Sequence, residues 1–196
     1  MDGAFDFYRD LPRRPQRPER LFFGLFPNSQ GLLQVDQFGG RFISENNLKG
    51  RRIEPERLYT SVHHIKDDKR LRTKFIYGAT ESARAISMAP FEVIFRLITT
   101  FESPPIPGRP RRWPLVLLGE GDGVFELHRI LGAALAKHGL QTEEHFTPHM
   151  TLFYGSKPVP MQAIKPIRLM FNEFILVHSE LWLTRYNMVG RWPLKG

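Results

Sequence analysis

Short apolar runs alternate along this chain with longer stretches in which apolar residues return every three or four positions. RLFFGLFP, Arg20 to Pro27, is an aromatic and aliphatic run closed by proline, the pattern of a buried strand that stops there. Asn28 or Ser29 can cap a following helix. Leu32, Val35 and Phe42 fall roughly on one face of it, and Gly31, Gly39 and Gly40 weaken it. Residues 45–56 are polar, contain Pro55 and read as a loop. A strand over 58–65 leads to a mixed-charge turn at DDKR, Asp67 to Arg70. Ile76, Ala79, Ala83 and Ile86 then recur at helical spacing over 72–88, and Pro90 ends that helix. In FEVIFRLI, residues 91 to 98, alternation predicts a strand with Phe91, Val93, Phe95 and Leu97 on one face.

The second half repeats the theme. SPPIPGRPRRWP, Ser103 to Pro114, has too many prolines for regular structure. WPLVLLG, Trp113 to Gly119, makes a strand, and a helix follows from about Gly123 to His138 with Leu127, Leu131 and Ala134 inward. Gly139 suits its left-handed C-terminal cap. A strand carrying His149 comes next, then two more over 167–177 and 180–191. Because the strands alternate more than they run continuously apolar, the fold class is α+β with antiparallel sheets rather than a doubly wound parallel sheet. Residues 1–19, rich in proline and arginine, read as a flexible leader to a single domain over 20–196.

Composition narrows the chemistry. The chain has 196 residues and no cysteine, which excludes disulfides, thiol nucleophiles and thiolate metal sites. No apolar run of about eighteen residues occurs, so no membrane partner is expected. The opening MDGAFDFYRD is acidic where a secretory signal would be basic, so a cytoplasmic location is expected. The formal net charge is +8, dominated by arginine, which forks onto phosphate oxygens; a phosphate-rich ligand and a plain basic surface both fit that count.

Two strands carry matching polar triplets. In FTPHMTLFY, Phe146 to Tyr154, His149 and Thr151 share a face while Met150 and Leu152 point the other way. An imidazole exchanges protons near neutral pH, and a threonine hydroxyl can bond a phosphate oxygen. In RLYTSVHHI, Arg57 to Ile65, Tyr59 and Ser61 share a face and mirror that pair. Two such strands facing one cleft would put acid/base groups on opposite sides of one phosphorus, as in-line displacement requires.

With these motifs in order, the chain resembles the two-histidine phosphoesterase superfamily, and within it the bacterial and archaeal RNA 2′,3′-cyclic phosphodiesterases, long called 2′-5′ RNA ligases. The resemblance covers residues 20–194. It rests on RLFFGLFP, on the two triplet strands, on FILVHSEL (Phe174 to Leu181) and on YNMVGRWPL (Tyr186 to Leu194). It implies two pseudo-symmetric lobes of antiparallel sheet with helices outside and a central cleft. It also implies a metal-independent hydrolase without cofactor that opens a terminal cyclic phosphate on RNA to a 2′-phosphate. RNA ends or cyclic-phosphate nucleotides would be its partners, and a monomer is expected.

The family pattern is His-x-Thr/Ser in both strands. His149 and Thr151 match it; Ser61 matches, but Tyr59 stands where the first histidine belongs. A phenol titrates near 10, a poor general base at neutral pH but a conceivable general acid. The expected catalytic set is therefore His149, Thr151, Tyr59 and Ser61, with activity impaired by Tyr59. The alternative is a catalytically silent module that binds phosphorylated RNA ends or cyclic nucleotides. By simple alternation His63 shares Tyr59's face but lies about 13 Å further along, His64 faces the opposite way, and both read as strand-end residues in solvent; only a bulge would bring His63 to the site. His145 reads as a rim residue. Arg109, Arg111 and Arg112 could hold an RNA chain and Trp113 could stack on a base; Arg51 and Arg52 are further basic candidates.

Overall fold

The computed structural model describes residues 19–103, 107–108, 111–180 and 185–196. Nine strands and three helices follow one another as β1 (Glu19–Leu25), α1 (Ser29–Glu45), β2 (Gly50–Arg52), a 3₁₀ turn (Pro55–Arg57), β3 (Thr60–Asp68) and α2 (Thr73–Arg84). Then come β4 (Phe91–Thr100), β5 (Trp113–Glu120), α3 (Asp122–Lys137), β6 (His149–Gly155), β7 (Gln162–Phe171), β8 (Glu173–Glu180) and β9 (Arg185–Pro193). All the strand pairings are antiparallel, in an open sheet of order β7-β4-β5-β6-β3-β1-β8-β9, with β2 beside β6. This is the α+β architecture that the alternating strands predict. No helix among the described residues is long and apolar enough to cross a membrane.

The order is symmetric about its middle. β6 corresponds to β3, β5 to β1, β4 to β8 and β7 to β9, and α3 follows β5 as α1 follows β1. The halves meet where Thr60 of β3 pairs with Met150 of β6. All three helices cover one face. There Leu21, Phe23 and Leu25 of β1 join Leu115, Leu117, Leu127, Leu131 and Met150 in the main core. Burying such side chains supplies the main drive to fold, about 1.5–3 kcal/mol each. On the other face Phe22, Ile175 and Val177 form a smaller cluster with Phe26, Tyr59 and Tyr186 against it. That face lines the cleft.

Helix α1 begins as its sequence dictates: Gly31 N donates to Asn28 Oδ1 at 2.8 Å, an N-cap bond. The glycines that weaken it in isolation lie on its packed face. A Cβ on Gly31 would come within 2.8 Å of Leu169, so the helix can approach the sheet only because no side chain is there. Gly139, just past α3, takes φ +68°, as a left-handed cap requires.

Several boundaries differ from the expected ones. The loop over 45–56 contains β2, which pairs Arg51 with Tyr154 and Arg52 with Phe153; this tertiary pairing has no signal in a three-residue stretch. Helix α2 ends at Arg84, leaving Ile86 beyond it. Of the leader, Glu19 opens β1 and the rest lies outside the described residues. The region read as two final strands holds three, β7, β8 and β9, because Asn172 turns the chain inside the first. In β4 a register shift between Phe95 and Leu97 hands the fourth core position to Ile98, fully buried, in place of Leu97.

Candidate active site

Two bulges shape the cleft. In β1–β3, Gly24 pairs with Ser61 but Phe23 pairs with His63, so Val62 is the extra residue. Paired residues share a face, which puts Ser61 on the cleft side with Gly24 and His63 on the core side with Phe23. In β5–β6, Val116 pairs with Thr151 but Leu115 pairs with Phe153, so Leu152 is extra. Thr151 faces the cleft while Leu152 and Phe153, each 3 % exposed, both enter the core. Each hydroxyl residue is thus followed at once by a bulge that sends two consecutive side chains inward.

The first bulge corrects the reading of the two histidines. His63 does not share Tyr59's face and is not in solvent: it is 3 % exposed, with Nε2 2.7 Å from the His128 carbonyl. A carbonyl only accepts, so Nε2 carries the proton. The His63 ring stacks on His128 at 4.0 Å, and His128 stacks on Phe146 at 4.2 Å. Burial holds His63 below its ordinary pKa; burial and the nearby His63 hold His128 down at about 4. His64 falls instead on the side of Phe22, exposed, with Nε2 2.8 Å from Asp67 Oδ1.

Tyr59, Ser61, His149 and Thr151 line one cavity of about 380 Å³. Because Thr60 opposes Met150 in antiparallel order, Ser61 lies on the His149 side of the seam and Tyr59 on the Thr151 side. His149 Nδ1 is 2.7 Å from the Thr147 carbonyl, so in the neutral ring Nδ1 bears the hydrogen and Nε2 keeps a free lone pair. The Phe101 ring meets the imidazole edge-on at 4.8 Å and limits its rotation. A second cavity of about 250 Å³ shares Ser61 and His149 with the first and is lined further by His63, His64, His128 and His145.

Tyr59 is held as an aromatic. Its ring stacks on Phe22 at 4.7 Å and on Phe26 at 5.3 Å, and meets Tyr186 edge-on at 5.8 Å. Burial, with the Tyr186 phenol beside it, pushes the Tyr59 phenol above the ordinary tyrosine value. At neutral pH it stays protonated and can only donate. Gly24 makes room for it: a Cβ there would stand 3.1 Å from the Tyr59 ring.

Five arginines reach the same cavity, Arg20, Arg51, Arg52, Arg57 and Arg112, against one carboxylate, Glu54. Arg20 and Asp67 form a two-pronged pair, Nε–Oδ1 2.8 Å and Nη2–Oδ2 2.7 Å, which draws Asp67 down to about 2. Arg52 Nη2 donates to the Asp36 carbonyl and, at 2.7 Å, to its carboxylate. Arg57 lies over the Tyr186 ring, 4.9 Å from its centre, and its Nε is buried without a hydrogen-bond partner.

Of the basic residues expected to hold an RNA chain, Arg112 lines the cavity and Arg109 lies outside the described residues. Arg111 and Trp113 do not line it. They engage each other, the guanidinium 4.3 Å above the indole, and Arg111 Nε donates to the Ser103 carbonyl. Arg20, Arg57, Tyr186 and Glu54 were invisible as site residues in the sequence, since they come from separate parts of the chain, including β1, the 3₁₀ turn and β9, and meet only in the fold. Among the described residues no three His, Asp or Glu side chains are grouped to hold a metal ion.

An open antiparallel sheet with its helices on one face is also the fold of LigT and related phosphoesterases. E. coli LigT complexed with 3′-AMP matches with a TM-score of 0.66 at 21% identity, over 91% of this chain and 99% of that one. TT0787 of Thermus thermophilus matches at 0.67 and 20% identity, over 90% and 98%. A further structure, named simply a phosphoesterase, matches at 0.65 and 20%, over 91% and 99%. At these identities the likeness is one of fold. No protein-family model matches the chain, and no curated protein does.

Proposed function

We propose that this protein is a phosphoesterase of the two-histidine type that opens a terminal 2′,3′-cyclic phosphate on RNA to a 2′-phosphate, using one imidazole where the pattern has two. The observation that carries the reading is the convergence of His149, Thr151, Ser61 and Tyr59 on one arginine-lined cavity. LigT, whose fold this chain shares, is seen with 3′-AMP.

In this reading the cyclic phosphate sits at the seam, its nonbridging oxygens taking hydrogen bonds from the Ser61 and Thr151 hydroxyls. His149 Nε2, its lone pair exposed by the Nδ1 contact with Thr147, removes a proton from water as the water oxygen attacks phosphorus. The bond from phosphorus to the 3′ oxygen breaks, and that oxygen takes its proton from the Tyr59 hydroxyl. The phenolate is then reprotonated from the imidazolium through solvent. A phenol with a raised pKa gives up its proton reluctantly, so the leaving oxygen is the weak side of the site.

A second reading is favoured by one specific observation, the packing of Tyr59 between Phe22 and Phe26. It makes the protein a binding module that holds such ends without turning them over. Incubation with a short RNA bearing a 2′,3′-cyclic phosphate separates the two. Appearance of a 2′-monophosphate, lost in His149→Ala, supports the hydrolase; retained binding without product supports the module. Absence of both binding and product rejects the site.

A further inference from the structure

The charge lining the cavity exceeds what a single cyclic phosphate needs. A phosphodiester carries one negative charge. Of the five arginines in the cavity, Arg20 is neutralised by Asp67 and Arg52 by Asp36. Arg51, Arg57 and Arg112 have no carboxylate within ion-pair distance among the described residues. Glu54, the one acidic side chain in the wall, offsets only one of the three. Two positive charges are left over, one more than the reacting phosphate balances.

The unpaired arginines are also set apart from the seam. Arg51 pairs with Tyr154 on one edge of β6, and Pro114, two residues after Arg112, pairs with Tyr154 on the other. The two arginines therefore flank Tyr154 from both sides, roughly 10 Å along the strand from Thr151. Tyr154 itself lines the cavity. Arg57 comes in from the 3₁₀ turn. Its guanidinium is laid on the Tyr186 ring, with Nη2 3.5 Å from the Tyr186 hydroxyl. Its Nε is buried with no acceptor, a costly state for a charged donor unless a ligand oxygen supplies one. A guanidinium pre-oriented on an aromatic face, with a donor still open, is built to take an oxyanion.

We propose that Arg51, Arg57 and Arg112 form a second phosphate subsite beside the reacting one. The cavity then selects nucleic-acid ends that carry a further phosphate group over cyclic mononucleotides that carry only one. This inference rests on the phosphoesterase reading for the position of the first phosphate. The second group can be the phosphodiester of a preceding nucleotide or a terminal 5′-phosphate, since both present the same oxyanion to the fork of an arginine.

The experiment measures dissociation constants by calorimetry, at two salt concentrations, for three ligands. They are adenosine 2′,3′-cyclic phosphate, the same nucleotide with a 5′-phosphate, and the dinucleotide ApA ending in the cyclic phosphate. At least one two-phosphate ligand is expected to bind ten or more times more tightly than the mononucleotide. Whichever gains identifies the source of the second phosphate. In Arg57→Ala and in Arg112→Ala that preference ratio should fall severalfold towards one. The slope of log affinity against log salt should drop by about one per contact removed. Arg112 is exposed, so its variant reports even if Arg57→Ala folds poorly. If the mononucleotide binds and neither extra phosphate improves affinity, the subsite is refuted while the phosphoesterase reading stands. A preference ratio that survives both substitutions also refutes it. If no ligand binds, both readings fall.

Discussion

Thr60 and Met150 face each other across the seam of the molecule, and each is the middle residue of a polar triplet whose outer members line the cleft. A local two-fold relation between the halves passes through this pair. It exchanges Tyr59 with His149 and Ser61 with Thr151, so the two proton-carrying positions are equivalent in backbone and differ only in side chain. The asymmetry of the site is chemical, not architectural.

Tyr59→His should therefore raise turnover of a 2′,3′-cyclic phosphate end by about 10²–10⁴-fold, the usual worth of a positioned acid or base. Comparison of kcat/KM with the wild type checks this. Unchanged turnover would show that the ring cluster of Phe22, Phe26 and Tyr186 prevents any side chain at 59 from reaching the phosphate.

Thr60 is completely buried and its hydroxyl has no hydrogen-bond partner. Thr60→Val keeps the shape and removes the unmet polar group, so it should stabilise the fold by about 1 kcal/mol. The urea midpoint would rise with an unchanged slope. A fall would mean that the hydroxyl is satisfied by a water at the seam.

The stack of His63, His128 and Phe146 makes stability depend on acidity. His128 titrates near 6.5 when exposed and at about 4 in the fold, and burial lowers His63 in the same sense. Between those values the unfolded chain binds more protons than the native one. Stability is thus full above about pH 6.5 and declines as the pH falls towards 4. Glu143 faces the pair, favouring the charged form of His63 through its charge and of His128 through its backbone carbonyl, and so limits the shifts. With His128 partly exposed, the loss is on the order of 1–2 kcal/mol. Urea midpoints between pH 7 and 4 should show the decline, and His128→Phe should flatten it.

Asp67 shows the acidic counterpart. Held at about 2 by Arg20, it contributes stability above its ordinary value near 3.8 that disappears as the pH drops towards 2. Asp67→Asn should cost on the order of 1 kcal/mol at pH 7, since both partners keep some solvent. It should also free Arg20 to act in the cleft, increasing the salt sensitivity of ligand binding. Affinity measured at two ionic strengths checks the second effect.

The alternation of apolar residues made the antiparallel class and most strands legible, and the spacing of His149 and Thr151 placed both on one face. The arginines of the cleft were not legible, because Arg20, Arg51, Arg57 and Arg112 are scattered over more than ninety positions and meet only through strand pairing. Among the residues read as binders, Arg111 looked the same as Arg112, and only the packing of its guanidinium on Trp113 separates them. The histidines after Ser61 were misplaced because alternation assumes an unbroken ladder. The bulge at Val62 sends His63 into the helix layer and His64 outward.

A bulge acts on the facing of side chains as a one-base insertion acts on codons: everything downstream is read in the other frame. Here the same shift follows the hydroxyl residue in both halves, after Ser61 and after Thr151. Each triplet is thereby insulated from what lies beyond it, and the sequence past either one can drift towards core packing without moving a single atom that touches the phosphate.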